Sequence, residues 1–531
     1  MTSILTNPGA MTALQTLRSI NQNLAQTQNE ISTGKTIASA KDNSAIWAIS
    51  KVMESDVAGF KAIKNSLSLG ESSVAVARNA SESITSLLTD IKGKIVAAQE
   101  ENVDRAKIQT DIGQLRDQIT SIVNAAQFNG LNLVKGTDDV NILSSLDRAA
   151  DGTVSSSNIT IARQDMTATN GTNGIGTAGS TDISAQMLDA AGAPYSGPNN
   201  IDNAGNAAIL EFTSTAGDDW DIGSSASVTV GGQTVTYTVA ADDTTDDAVR
   251  DGLLAQLNAL DLDDVSFAAT TGGGGEVQLT VTSTRAFEDS AFSVSESATA
   301  AGENAFIVSV NGDATGFGAA GAESGSIAQR AEVVNFTTGT APSEGNSYQV
   351  SLGGTAYFYT AGKGETMEDV ARGLKTAIDG AGLADISTSI AIDGTTGQVS
   401  LKVDNNGASA VALDVAAGTG GTASGGLFGL DQLNVGTDGG ADAALENIET
   451  MIQNAIDASA AFGSAQSRVE TQSEFVSKLT DSLKAGIGTM VDADLEEASA
   501  RLQALQVQQQ LGTQSLSIAN QAPQSILALF R

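Results

Sequence analysis

The sequence predicts an α+β multidomain protein: helical N- and C-terminal regions, each with a coiled-coil-like seam and a helical-bundle stretch, around a central region of β-rich/α+β modules. Three observations predict it. Apolar residues recur at 3-4 spacing near both ends of the chain. The centre is rich in Gly, Thr and Asp and reads as short strands between turns. One stretch of that centre occurs twice. With 531 residues the chain can build several cores without disulfides or metals.

Near the start, Leu14, Leu17, Asn21, Leu24, Gln28 and Ile31 keep one seam on one helix face. Near the end, Leu495, Ala498, Leu502, Leu505, Gln509, Gly512, Leu516 and Ala519 repeat the spacing. Pro8 lies near the start of the first helix and Pro523 near the end of the last, so neither predicted helix has a kink in its interior. Gly34 reads as a helix stop, and Ser39 to Ser44 as the next helix start. Asn and Gln at seam positions lower stability while fixing register. Such spacing fits either amphipathic helices packed within one molecule or helices ordered by assembly. Long patterned segments at both termini, where chains usually fray, favour the second. The expected terminal coiled-coil domain is 1–38 with 490–531, and the expected helical trunk is 39–136 with 441–489.

In the centre, Ala207 to Thr213 (AAILEFT) matches Ala331 to Thr337 (AEVVNFT). SVTVGGQTVTY at 227–237 pairs with QVSLGGTAYFY at 349–359, each a hairpin around Gly-Gly. DDAVRDGLLAQL at 246–257 matches EDVARGLKTAI at 368–378, each a helix, and VQLTV at 277–281 matches VSLKV at 399–403. Two tandem α+β modules follow, at 205–310 and 330–435. Segments 137–204 and 311–329, rich in Gly, Asn, Thr and Asp, read as loops and linkers, the first as a loop/β linker region.

Composition closes most chemistry. The chain has no Cys and no His, which removes thiol nucleophiles, Cys/His zinc sites and imidazole acid–base work. The net charge of −35 is concentrated in the centre: 137–440 hold 9 basic and 39 acidic residues, against 13 and 12 in 1–136 and 5 and 11 in 441–531. That region repels phosphate, so nucleic acid is not expected as a partner. The N-terminus lacks a basic region followed by a long apolar stretch, and no later run reaches the ~18 apolar residues of a span, so neither a general secretory signal nor membrane insertion is expected.

Ser32-Thr33-Gly34-Lys35-Thr36 resembles the end of a phosphate loop but has Asn29 where the first glycine belongs, and it follows a helix rather than a strand. The clusters Asp242-Asp243-Asp246-Asp247 and Asp261-Asp263-Asp264 lack EF-hand spacing, and the first suits a helix N-terminus. No catalytic, cofactor or metal residues are assigned, and no enzyme activity is expected.

ISTGKTIASAKDNSAIWAIS at 31–50, QFNGLNLV at 127–134, GSAQSRVE at 463–470 and the segment from 492 to 531, with Asn520-x-x-Pro523-Gln524 before a short apolar tail, resemble the bacterial flagellin family. The resemblance implies termini that pair as an antiparallel coiled coil lining a tube, a helical shell around it, and a centre projecting outward. It implies export through the flagellar type III channel and an extracellular place in the filament. The implied partners are other flagellin subunits, an export chaperone, and the hook-associated junction and cap proteins. The assembly residues expected on the seams are Leu14, Leu17, Leu24, Ile31, Leu495, Leu502, Leu505 and Leu516. Ile46-Trp47 stands where many members have Gly-Leu. Asp90 to Ile95 lacks the Arg and Glu of flagellins sensed by the vertebrate Toll-like receptor, so weak receptor activation is expected. A hook-filament junction protein, or an adhesin acting through the central modules, is the competing reading.

Overall fold

The computed structural model describes residues 7–149, 153–214, 219–299, 302–319 and 321–529, the last eight of these by backbone alone. Its helices are α1 (Pro8–Thr33), α2 (Ser44–Ala98), α3 (Arg105–Ala125), α4 (Asp246–Asn258), α5 (Met367–Gly380), α6 (Asp438–Val491) and α7 (Leu495–Leu529). The described residues form two compact units.

The first unit comprises residues 1–76, 139–162 and 461–531. Asn7 caps α1 by accepting from Ala10 N–H, Pro8 follows at the first turn, and Gly34 ends the helix with φ of 69°. The predicted helix start and stop are therefore where the sequence put them, while α7 continues beyond Pro523 to Leu529. Ile63, Leu67, Val74, Val469 and Val476 are fully buried. A hairpin of strands Val140–Arg148 and Val154–Ile161 lies on α2. Two helix glycines make room for it: a Cβ on Gly70 would sit 2.3 Å from Ile142 Cδ1, and one on Gly59 2.7 Å from Leu146 Cδ1. Gln472 of α6 donates to Ser144 O at 2.9 Å, fixing the hairpin's bulged strand.

The second unit comprises 77–138 and 163–460. Its helical part buries Ile84, Leu88, Ile91 and Ile95 of α2 with Ile112 and Ile119 of α3 and Ile448 of α6, one side of each helix. Lys92 pairs with Glu449, and Lys94 with Asp111 at 2.7 Å. Strands Gln127–Phe128 and Leu131–Asn132 close on Asn129 and Gly130, both at positive φ, as a two-residue hairpin requires.

Each central module is a pair of antiparallel four-stranded sheets with one helix packed against strands of both. In the first module the sheets run, in spatial order, Val265–Thr271, Val277–Ser283, Asn206–Thr213, Asn304–Val310, and Glu323–Ile327, Ser290–Ser297, Ser225–Val230, Gln233–Thr238. In the second they run Ile386–Ile392, Val399–Asn405, Glu332–Phe336, Met187–Leu188, and Thr355–Thr360, Ser347–Leu352, Val411–Gly418, Asn199–Ile201. Inward-facing alternate residues build the cores: Leu210, Phe212, Trp220, Val228, Leu253 and Leu279 in the first, Met187, Phe336, Tyr348, Val350, Leu374 and Leu401 in the second. Both predicted Gly-Gly hairpins turn on a positive φ pair, 60° and 79° at Gly231-Gly232, 58° and 85° at Gly353-Gly354.

The structure sharpens the reading of 137–204 as a loop/β linker region and of 311–329 as a linker. Residues 137–204 supply the hairpin of the first unit and two edge strands of the second module, and 311–329 supply Glu323–Ile327 to the first. These strands are short or Ser/Asn-rich and take their place through backbone ladders at a sheet edge, so they lack the apolar alternation by which strands are read. The second module is accordingly not contiguous: Met187–Ile201 completes it from upstream of the first.

Candidate assembly surface

α1 and α7 lie antiparallel. Asn7 Nδ2 donates to Ala519 O at 2.8 Å, Gln509 Nε2 to Asn21 Oδ1 at 2.7 Å, and Thr36 N to Val491 O at 2.8 Å, so rising numbers on one helix meet falling numbers on the other. On α7 the predicted spacing faces α1: Ala498 and Leu505 are buried, and Leu502, Gln509, Gly512, Leu516 and Ala519 are half-buried. Gly512 lets the helices approach, since a Cβ there would lie 3.2 Å from Leu17 Cδ1.

On α1 the seam is displaced from the predicted one. Leu17, Leu24 and Ile31 are half-buried on it, and the positions between them are Ile20 and Thr27, both buried, not Asn21 and Gln28. Ala13 takes the place expected for Leu14, which is 39% exposed. Both sets have 3-4 spacing and share 17, 24 and 31, so periodicity cannot choose between them; the apolar Ile20 beside Asn21 was the available signal. Leu495, at the first position of α7, is 52% exposed.

What sequence reading missed is a second apolar face. Val507, Leu511 and Ile518 are 56%, 56% and 68% exposed. At 100° per residue they fall within about 40° of one another, and opposite the Leu505–Leu516 seam. Met11 and Leu14 are likewise exposed on α1 away from its seam. α7 is thus apolar on two opposite sides, of which α1 covers one. The side chains of Pro523, Gln524 and the apolar tail lie outside the described residues, as do residues 1–6 and 530–531 of the expected terminal domain.

A helix pair with an apolar face left over is the structural signature of a subunit built for a larger assembly. The bacterial flagellin N-terminal helical region matches residues 4–139 and the C-terminal helical region residues 445–530. Flagellin D of Rhizobium meliloti is 31% identical over 538 residues, covering all of both chains. Flagellin FljM of Caulobacter vibrioides is 40% identical over 173 residues, 32% of this chain and 63% of that one. Among solved structures, Xanthomonas campestris FlgL aligns with 11% identity and a TM-score of 0.28, over 82% of this chain and 98% of that one. The chain belongs to the bacterial flagellins: it is a structural subunit of the flagellar filament, an extracellular polymer that serves motility. The match to flagellins over the whole chain does not favour the junction-protein or adhesin reading.

Proposed function

We propose that subunits polymerise through the terminal helices, with α1 and α7 forming the coiled-coil layer (1–38 with 490–531), the remaining helices the trunk around it (39–136 with 441–489), and the two acidic modules facing outward. The two opposed apolar faces of α7 carry this reading. One is satisfied within the chain by Leu17, Leu24, Ile31, Leu502, Leu505 and Leu516; the other, Val507, Leu511 and Ile518, is covered by neighbouring subunits, as are the exposed Leu14 of α1 and Leu495 at the start of α7. The charge distribution supports it, because near-neutral ends pack without burying like charges while a centre of net −30 repels other filaments.

The protein acts mechanically and performs no catalysis. It leaves the cell through the flagellar type III channel with an export chaperone, and meets junction and cap proteins at the filament's ends. The weak Toll-like receptor activation expected from Asp90 to Ile95 belongs to this reading and is checked with reporter cells. The assembly surface is tested with Leu511→Glu and Ile518→Glu, which face solvent in the single chain and leave its circular dichroism intact. Seeded polymerisation followed by electron microscopy should give no long tubes from either variant and long tubes from the wild type; variant filaments of ordinary length would overturn it.

A further inference from the structure

At the foot of the second module one carboxyl is held where its charge has nowhere to go. The Tyr359 hydroxyl donates to Glu365 Oε1 at 2.9 Å, while Glu365 Oε2 is buried and has no partner among the described residues. The Tyr359 ring is 5% exposed and clamped on both sides. It packs on α5, where a Cβ on Gly373 would be 2.3 Å from the ring, and it meets Phe428 in a T-shaped pair at 5.4 Å between centroids. Phe428 belongs to the segment that leads from the module into α6, and Asn454 of α6 donates to Gly426 O of that segment at 2.8 Å.

No cation is among the groups that act on Glu365. From α5 Asp369 faces it and repels a second negative charge, while Arg372 of the same helix is already bonded to Glu368. The strand contributes the Tyr359 phenol, and the loop the Gly362 N–H, while Lys363 of that loop is engaged in an interaction of its own. From α6 the groups lining the small cavity beside Tyr359 and Asp369 are Asn447, Thr450, Met451 and Asn454, and from the 425–428 segment Gly425, Gly426 and Phe428, none of them ionisable. That cavity, about 20 Å³, admits about one water.

We propose that Glu365 is a pH-sensitive latch: protonated, it completes the packing of Tyr359 between α5 and Phe428; ionised, it loosens strand Thr355–Thr360 and the 425–432 segment. Burial, reinforced by Asp369 and opposed by the Gly362 N–H and the Tyr359 hydroxyl, pushes this carboxyl up to about 7. Its folded value is thus raised above 4.5, so its stabilising contribution is complete below that pH and is lost as pH rises through about 7. This module is tightest in mildly acidic medium and loosest in alkaline medium.

The test is hydrogen exchange of the full chain as monomer from pH 5.5 to 9, corrected for the intrinsic rate, read on peptides from 355–378 and 425–432. Wild type should lose about tenfold or more in protection with a midpoint near 7, since one unit of pKa is a factor of ten. Glu365→Gln should hold its protection across the range, and Tyr359→Phe, which removes the hydroxyl donor, should move the midpoint upward. Flat protection in wild type, or the same fall in Glu365→Gln, would overturn the latch. Should Glu365→Gln fail to fold, an unmoved midpoint in Tyr359→Phe does so instead.

Discussion

The two central modules share one architecture and are threaded differently. In the first, the outer strands Asn304–Val310 and Glu323–Ile327 come from the chain that follows; in the second, the same two positions are filled by Met187–Leu188 and Asn199–Ile201, from the chain that precedes both. The first module is therefore an insertion between Ile201 and Glu332 of the second. Its two crossings are tied together by Asn206, whose Nδ2 donates to Ala328 O at 3.2 Å and Gln329 O at 2.8 Å. A sheet position is defined by the ladder and core it completes, and either end of the chain can supply it when the termini of the unit lie close together.

The largest expected effect breaks the comparison outright. Excising 206–327 should leave the second module folded, whereas deleting 187–201 should unfold it while Trp220, buried in the first module, keeps its fluorescence. Limited proteolysis with mass mapping reads both, and a second module that survives loss of 187–201 would refute the nested arrangement. Next come the cores. Phe336→Ala, at 0% exposure, should destabilise the second module by about 3–5 kcal/mol with the first unchanged, and Phe212→Ala the reverse, measured by exchange protection of each module's peptides.

A comparable cost, about 3 kcal/mol or more, is expected of Asp404→Ala, because Arg330 would be left buried without its partner. The pair is bidentate, at 2.8 and 2.7 Å, and joins the exit of the inserted module to strand Val399–Asn405 of its host. Denaturant titration should show the second module's transition moving to lower concentration; an unmoved midpoint would refute the role given to this pair. The smallest effect concerns a device present in both copies. Tyr237 lies over Gly252 as Tyr359 lies over Gly373, each phenol donating to an acidic residue six positions on, Asp243 or Glu365. Burial pushes the Tyr237 phenol up to about 12, and burial also raises that of Tyr359. Gly252→Ala and Gly373→Ala should each cost about 1–3 kcal/mol by overpacking, and the thermal midpoint of either variant equal to wild type would show that the rings can shift aside.

The terminal helices offer a second contrast. The α7 seam was legible because Ala498, Leu502, Leu505 and Leu516 stand apart from polar neighbours at seam spacing. That of α1 was half legible, because small and polar residues occupy both candidate stripes and the choice of Ile20 and Thr27 depends on which side α7 occupies. The exposed stripe of Val507, Leu511 and Ile518 escaped notice because a periodic search rewards one face and discounts its opposite.

By itself the sequence determined the family, the helical ends, the acidic centre, the Gly-Gly hairpins, the two module helices and the duplication, since each rests on local pattern, turn chemistry or residue identity. Only the tertiary structure decided that Met187–Ile201 belongs to the second module, which α1 stripe meets α7, and that Glu365 Oε2 is buried without a hydrogen-bond partner among the described residues. These depend on which distant backbone edge, helix face or side chain comes alongside, and pairing across long sequence separations leaves no period in the chain to read.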